Sequence, residues 1–199
     1  ATIEENVKRV RHLHGPEALG VYVGNPTVHT PALVLIPPFI HALGARQRFS
    51  ATSVDQLPHM LANLQMFGHQ LLFTVPDLDR TDFLLMLGAN PAASNGSLMT
   101  AGDPMARIKA IRERGGRVVV VDPRRTETAD KADDHLFIRP GSDFHFLAAL
   151  VHVLFEEAHV RLRRVSGLVQ GLTELRDAVA DFTPEATAAI LKGLTWLGL

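Results

Sequence analysis

Short apolar runs alternate with segments of helical length along most of the chain. The clearest runs are 83–87 and 117–121, and each ends abruptly in small, polar or basic residues. Runs of this kind are typical of buried parallel strands. Residues 103–114, which lie between them, have the length of a helix and carry Ile108 and Ile111 on one face. The pattern predicts a strand–helix–strand unit.

Further strands and helices are predicted on both sides of this unit. Strands are predicted at 19–23, 49–53 and 135–139. Helices are predicted from about residue 30 and at 57–67, 144–157, 172–182 and 184–191. Pro37 and Pro38 should kink or break the helix that starts near residue 30, because proline cannot donate the helical hydrogen bond. Strands that alternate with helices favour the α/β class, here a Rossmann-like, open, mostly parallel sheet with helices on both faces. We expect one domain over 1–158 and a helical appendage, or the start of a further subdomain, over 159–199.

Composition narrows the classes of function. The chain has 199 residues, of which 46% are hydrophobic and 21% charged, and its net charge is -1 without a long basic patch. These features argue against a nucleic-acid partner. The longest apolar run, 32–40, is too short to cross a bilayer, so we expect no membrane insertion and a cytoplasmic location. The chain has no cysteine and therefore ligates no iron–sulfur cluster, and its ten histidines lack compact metal-ligand spacing.

Candidate ligand-binding residues follow three of the predicted strands. Gly88 permits close backbone approach after the first, and Asn90 offers an amide to a ligand oxygen. After the second, Asp122 is suited to ribose hydroxyls and the arginine forks of 124–125 to phosphate oxygens. After the third, the carboxylate of Asp143 can accept two hydrogen bonds from the edge of a guanine base. Because the carboxyl ends of parallel strands share one edge, these groups predict a nucleotide site.

Each motif also has a purely structural interpretation. Gly-x-Asn-Pro after a strand is usually a turn, and Asp-Pro-Arg-Arg is more often a solvated loop with local ion pairs. Ser142 or Asp143 can serve simply as the N-cap of the helix that follows. The appearance of all three motifs in this order, after successive strands, is what favours the functional interpretation.

The order of these motifs closely resembles that of the molybdopterin oxidoreductase family, which includes formate dehydrogenases, periplasmic nitrate reductases and dimethyl sulfoxide reductase relatives. The resemblance covers about residues 19–157, and its most specific parts are Leu87–Ser94, Asp122–Thr128, Ala132-Asp133, His135-Leu136 and Arg139–Asp143. It implies a domain that holds the guanosine end of one molybdopterin guanine dinucleotide. By matching motif, the binding residues would be Leu87, Gly88, Ala89, Asn90, Pro91, Asp122, Pro123, Arg124, Arg125, Thr126, Gly141, Ser142 and Asp143. Gly24 and Asn25 resemble the family's first strand-to-helix turn, which lies nearer the pterin.

The resemblance also implies a molybdenum or tungsten ion, bound by two dithiolenes, that exchanges two electrons with a small substrate such as formate or an oxyanion. Many members ligate this metal through a side chain in the region that here spans 50–59. Asp55 is a hard oxygen donor and the predicted metal ligand, and Ser53 is a second candidate. The structural alternative is an N-cap for the helix that begins near Leu57.

The sequence is compatible with three functions. In the first, the chain is a piece of a bis-molybdopterin guanine dinucleotide oxidoreductase and is inactive alone, because the family's cysteine-rich domain and its later cofactor-binding domain are not in these residues. Its partners would then be the remaining domains of the same polypeptide and an electron-transfer partner. The second is a non-catalytic cofactor-binding or adapter module of the same fold. The third, a nicotinamide-dependent enzyme, is disfavoured because residues 23–27 do not match Gly-x-Gly-x-x-Gly.

Overall fold

The computed structural model describes residues 2–24, 27, 30–96 and 101–191. The chain forms two compact units, Ala1–Val75 and Pro76–Leu199. The expected division near residue 158 stays a prediction. Among the described residues, no helix combines the length and the apolar character that a bilayer crossing requires.

The first unit contains a pair of parallel strands among helices. Its elements are α1 (Ile3–His14), β1 (Gly20–Val23), α2 (Ala32–Leu43), β2 (Gln47–Ser50), α3 (Thr52–Asp55) and α4 (Leu57–Phe67). In the pairing of β1 with β2, Gly20 lies opposite Gln47 and Val23 opposite Ser50. Gly68 ends α4 in the left-handed conformation.

Helix α1 was not predicted, although its start carries a recognisable signal. Thr2 and Glu5 form a capping box, in which the Thr2 hydroxyl accepts from the Glu5 backbone N–H at 3.3 Å and the Glu5 carboxylate accepts from the Thr2 backbone N–H at 2.7 Å. None of the residues of α1 is buried, although Ile3, Val7 and Val10 follow the helical spacing i, i+4, i+7.

Helix α2 continues through Pro37 and Pro38, so these residues do not break the helix, and the kink that the sequence also allowed stays a prediction. Each proline leaves a carbonyl four residues earlier, on Leu33 or Val34, without its helical donor. Both of those residues are exposed, and water can therefore serve the two carbonyls. Gly44 ends the helix with a φ of 67°.

The second unit holds a sheet of three strands. Its elements are β3 (Phe83–Leu87), α5 (Pro91–Ser94), α6 (Pro104–Glu113), β4 (Arg117–Val121), β5 (Asp134–Leu136), α7 (Asp143–Glu156), α8 (Leu172–Ala178) and α9 (Pro184–Leu191), with a 3₁₀ turn at Ala129–Lys131. The bounds of β3 and β4 are those the sequence predicted. Strand β5 ends three residues earlier than predicted, and α8 ends four residues earlier.

All three strands of this sheet are parallel, in the order β3-β4-β5. Phe83 lies opposite Arg117, and Val119 lies opposite Asp134. The carboxyl ends of the strands therefore point to one edge, which confirms the predicted α/β arrangement.

The core of the second unit lies on one face of this sheet, where Ile108 and Ile111 of α6 face alternate residues of β3 and β4. Its buried members are Leu78, Leu84, Met86, Ile108, Ile111, Val118, Val120 and Ala129. Val119 and Val121 point to the opposite face and are buried as well, so both faces of β4 are covered. Burial on both faces explains why β4 is an unbroken apolar run.

Candidate functional site

The first loop at the carboxyl edge of the sheet begins at Gly88. Its N–H donates to the Val121 carbonyl at 2.9 Å, which extends the ladder one residue beyond β3. Gly88 has a φ of 62°, a conformation that glycine adopts without strain. A Cβ placed there would meet no atom within 4 Å, so the exposed backbone is open to a ligand. Asn90 then starts α5, and its carbonyl accepts from the N–H groups of Ala93 and Ser94 at 3.0 Å.

The second loop begins at Asp122, directly after β4. The side chain is buried, and its Oδ1 accepts from the Arg124 backbone N–H at 2.8 Å in a turn that carries the chain over Pro123. Thr126 is also buried, and its hydroxyl accepts from the Ala129 N–H at 3.1 Å. The hydrogen bonds of these two side chains fix the shape of the loop. The other side chains of the loop include exposed ones that face solvent.

Arg124 and Arg125 are the exposed cations of this loop. A nitrogen of Arg124 lies 3.6 Å from Oε2 of Glu127, and Nε of Arg125 lies 2.6 Å from Oδ1 of Asp130. All four side chains are more than half exposed. Exposed pairs contribute only about 0–1 kcal/mol, so an anionic ligand can compete for these guanidinium groups.

The two loops are joined to each other through Asn90. Its Oδ1 accepts from the Thr128 hydroxyl at 2.7 Å, and its Nδ2 donates to Glu127 at 2.8 Å. The Thr128 hydroxyl in turn accepts from the Ala92 N–H at 3.1 Å. The pKa of Glu127 lies below its usual value because its own backbone N–H and the Asn90 amide donate to the carboxylate, and because Arg124 is close. The Asn90 side chain therefore has two partners among the described residues, Glu127 and Thr128, and one N–H of its amide has none there.

His135 of β5 supports the same edge from the other side. Its Nε2 lies 3.0 Å from the Asp122 carbonyl, and since a carbonyl only accepts, Nε2 is the donor. The Nδ1 atom is buried and has no partner among the described residues. The Asp122 N–H also donates to the Leu136 carbonyl, at 3.1 Å. No separate role was predicted for His135, although a polar residue inside a short strand is visible in the sequence.

The third motif, Gly141 to Asp143, leads into α7. Ser142 occupies the N-cap position, but its hydroxyl donates to the Arg139 carbonyl at 2.6 Å and does not cap the helix. Ser142 is therefore the N-cap residue, as the structural interpretation proposed, but it makes no side-chain capping bond. Asp143 is the exposed first residue of α7, and its carboxylate accepts no hydrogen bond from the described residues. No hydrogen bond within the described part of the chain joins this motif to the first two loops.

The remaining predicted site residues belong to the first unit. Gly24 follows β1 and is half-buried, whereas Asn25 lies outside the described residues. Asp55 is the exposed last residue of α3, and the N-cap position of α4 falls on Gln56, which makes no side-chain capping bond. The alternative that Asp55 caps α4 is therefore wrong. The side chain of Ser53 is outside the described part.

Metal-ligating side chains do not cluster in the part of the chain that the structure describes. Within residues 2–24, 27, 30–96 and 101–191, no group of three or more His, Asp or Glu side chains is arranged to hold a metal ion. A metal that takes its other ligands from dithiolene sulfurs needs few protein ligands, so this result leaves the prediction for Asp55 untested.

Comparison with known proteins identifies a matching family and several relatives. Residues 1–190 match the family model for molybdopterin oxidoreductase. The chain is 25% identical over 190 residues to formate dehydrogenase H of Escherichia coli, covering 94% of this chain and 26% of that protein. It is 28% identical over 192 residues to a thiosulfate reductase molybdopterin-containing subunit of Salmonella typhimurium, covering 94% and 23%. The chain thus spans about a quarter of the length of these relatives.

A solved structure shares the fold. Acetylene hydratase from Pelobacter acetylenicus matches with a TM-score of 0.64 and 24% identity, over 95% of this chain and 25% of that one. At this level of identity the match supports the α/β architecture with parallel strands and carries no further argument about activity.

Proposed function

Because the chain belongs to the molybdopterin oxidoreductase family, we propose that its second unit binds the guanosine end of one molybdopterin guanine dinucleotide at the carboxyl edge of the sheet formed by β3, β4 and β5. The observation that carries this proposal is the pair of hydrogen-bonded loops, 88–91 and 122–128, after two adjacent parallel strands. Nucleotides are commonly bound outside the carboxyl ends of such strands.

Polar groups of these loops fit the polar parts of a nucleotide. Arg124 and Arg125 offer guanidinium forks, which suit the two phosphates. Asp122 uses Oδ1 within its own turn, and Oδ2 accepts no hydrogen bond from the described residues, so this oxygen suits a ribose hydroxyl. The open backbone at Gly88 gives the ligand room to approach the sheet edge.

Asp143 suits the guanine base. Guanine presents N1–H and N2–H₂ donors side by side, and an ionised carboxylate can accept from both. Adenine lacks this pair of donors, so a carboxylate at this position would favour guanine. Gly141 has a φ of 79°, and a Cβ there would meet no atom within 4 Å, which leaves space beside the carboxylate.

The first unit would serve the metal and pterin side of the cofactor. We propose that Asp55 ligates the metal and that Gly24 and Asn25 lie toward the pterin. The exposed Asp55 carboxylate accepts no hydrogen bond from the described residues and is a hard oxygen donor suited to a high-valent ion. When bound, molybdenum or tungsten supplies two-electron chemistry, and in the whole protein the substrate would be a small molecule such as formate or an oxyanion.

The test of this proposal replaces Asp143 with alanine and measures GDP binding to the purified chain by calorimetry. A charge-assisted hydrogen bond contributes about 1.5–3 kcal/mol, so we expect GDP to bind Asp143→Ala at least about tenfold more weakly. Glu185→Ala is the matched control, because Glu185 is also an acidic residue in the first turn of a helix, α9. Unchanged GDP affinity in Asp143→Ala, or an equal loss in Glu185→Ala, would contradict the proposal.

A further inference from the structure

Thr128 is one of the most deeply buried polar residues of the second unit, and its side chain is not accessible to a ligand. Only 1% of its surface is exposed. Its hydroxyl nevertheless makes two hydrogen bonds, to Oδ1 of Asn90 at 2.7 Å and from the N–H of Ala92 at 3.1 Å. Both partners lie 36 or more positions earlier in the chain, in the loop and short helix that follow β3.

The direction of every bond in this group is fixed by chemistry. The Ala92 N–H can only donate, so the Thr128 oxygen accepts from it and the hydroxyl hydrogen goes to Asn90. The Asn90 amide must then present its oxygen to Thr128 and its NH₂ to the Glu127 carboxylate, which only accepts. Hydroxyl and amide together hold the two loops in one relative position.

The same group reaches the exposed surface. Oε2 of Glu127 receives the Asn90 amide at 2.8 Å and lies 3.6 Å from the Arg124 guanidinium. A line of contacts therefore runs from the buried Thr128 hydroxyl through Asn90 and Glu127 to Arg124. Since long arginine side chains lose conformational entropy when a ligand orders them, a partner that restricts Arg124 in advance lowers this cost.

We infer that Thr128 is a positioning residue for nucleotide binding, acting through Asn90 and Glu127 to hold the two loops and Arg124 in their binding arrangement. This inference rests on the proposed function. It assigns to the Thr and Glu of the second loop a role that does not require either side chain to touch the ligand.

The experiment compares Thr128→Val, which keeps the side-chain shape and removes the hydroxyl, with Thr128→Ser, which keeps the hydroxyl. Thr187→Val is the matched control, since Thr187 is 2% exposed and its hydroxyl donates to the Thr183 carbonyl at 3.0 Å in α9. Two quantities are measured on the full chain: the Kd for GDP by calorimetry, and the hydrogen exchange rate of the Ala92 amide by NMR, relative to global unfolding.

One lost side-chain hydrogen bond corresponds to about a tenfold change in an equilibrium constant. For Thr128→Val we expect Ala92 exchange to rise about tenfold and the Kd for GDP to rise by a similar factor. Thr128→Ser and Thr187→Val should stay within about twofold of the unsubstituted chain in both measurements.

Two results would overturn the inference. One is an Ala92 exchange rate that does not change in Thr128→Val, and the other is a GDP affinity that is kept in this variant while the unsubstituted chain binds GDP. If the unsubstituted chain does not bind GDP, the proposed function fails. The exchange measurement then decides separately whether Thr128 holds the two loops together.

Discussion

At the scale of single residues, the two edges of the sheet in the second unit differ in how their polar groups are partnered. At the amino edge, Arg117 lies 2.7 Å from Asp134, and Arg112 lies 2.7 Å from Asp133. Arg114 donates to the Leu78 carbonyl at 2.7 Å. At the carboxyl edge, Arg124 lies 3.6 Å from Glu127 and Arg125 lies 2.6 Å from Asp130, and all four side chains are more than half exposed. The acidic partners at the amino edge are only 35% and 29% exposed, so those pairs stabilise the fold, whereas a ligand can compete for the more exposed pairs at the carboxyl edge.

Asp133 provides a prediction about pH. Its Oδ2 accepts from the Val118 N–H at 2.8 Å and its Oδ1 from Arg112 at 2.7 Å. These bonds, the Val118 one first, hold the pKa of Asp133 below its usual value. A lowered folded-state pKa means that the contribution to stability is complete above the unfolded pKa, about 3.9, and is lost as the pH falls through the folded value.

We therefore expect the difference in unfolding free energy between the unsubstituted chain and Asp133→Asn to be constant near neutral pH and to shrink below about pH 4. Urea unfolding at a series of pH values measures it. Asp82→Asn is the control, because the Asp82 side chain is 85% exposed and lies 3.7 Å from its nearest cation, Arg114. A difference for Asp133→Asn that does not vary with pH would refute the assignment.

At the scale of elements, the bounds of strands and helices were predicted best where both faces are buried or where polar residues mark the ends of an apolar run. The bounds of β3 and β4 were correct because each is an apolar run with polar residues at its end. Helix α1 was missed although the capping box of Thr2 and Glu5 marks its start in the sequence. Helix α2 was misjudged because the cost of internal prolines depends on whether water can serve the freed carbonyls.

The candidate site was predictable in part. Parallel strands with polar residues at their carboxyl ends were enough to bring residues 88–91 and 122–126 to one edge. The bonds of Asn90 to Glu127 and Thr128 span 37 and 38 positions, and nothing local in the sequence marks them. Propensity and periodicity describe neighbours along the chain, so side-chain contacts of this range require the folded structure.

The packing of α6 on the sheet provides a second prediction. Ile111 is fully buried between this helix and the strands. Replacing it with alanine should lower the unfolding free energy by about 2–5 kcal/mol, because the lost side-chain volume leaves a cavity. Lys109→Ala in the same helix changes an exposed ion pair with Glu113 and should cost less than about 1 kcal/mol. Equal costs for the two variants would contradict the described core.

At the scale of the whole molecule, the candidate residues are divided between the two units. Asp55 and Gly24 lie in Ala1–Val75, and both nucleotide loops lie in Pro76–Leu199. The chain spans about a quarter of its relatives' length, so the substrate and the electron partner of the whole protein are matters for proposal. Nucleotide binding by the second unit can be tested with this chain alone.

The most direct test maps the nucleotide site by amide hydrogen exchange of the full chain, with GDP and separately with ADP. If the second unit binds guanosine as proposed, GDP will slow exchange at 88–91, at 122–128 and at 141–144, and exchange at 47–67 in the first unit will not change. ADP should slow exchange at 122–128, the proposed phosphate site, and have little effect at 141–144, because adenine lacks the pair of donors from which Asp143 would accept hydrogen bonds. Protection by GDP elsewhere in the chain, or equal protection of 141–144 by ADP, would contradict the assignment of a guanosine site.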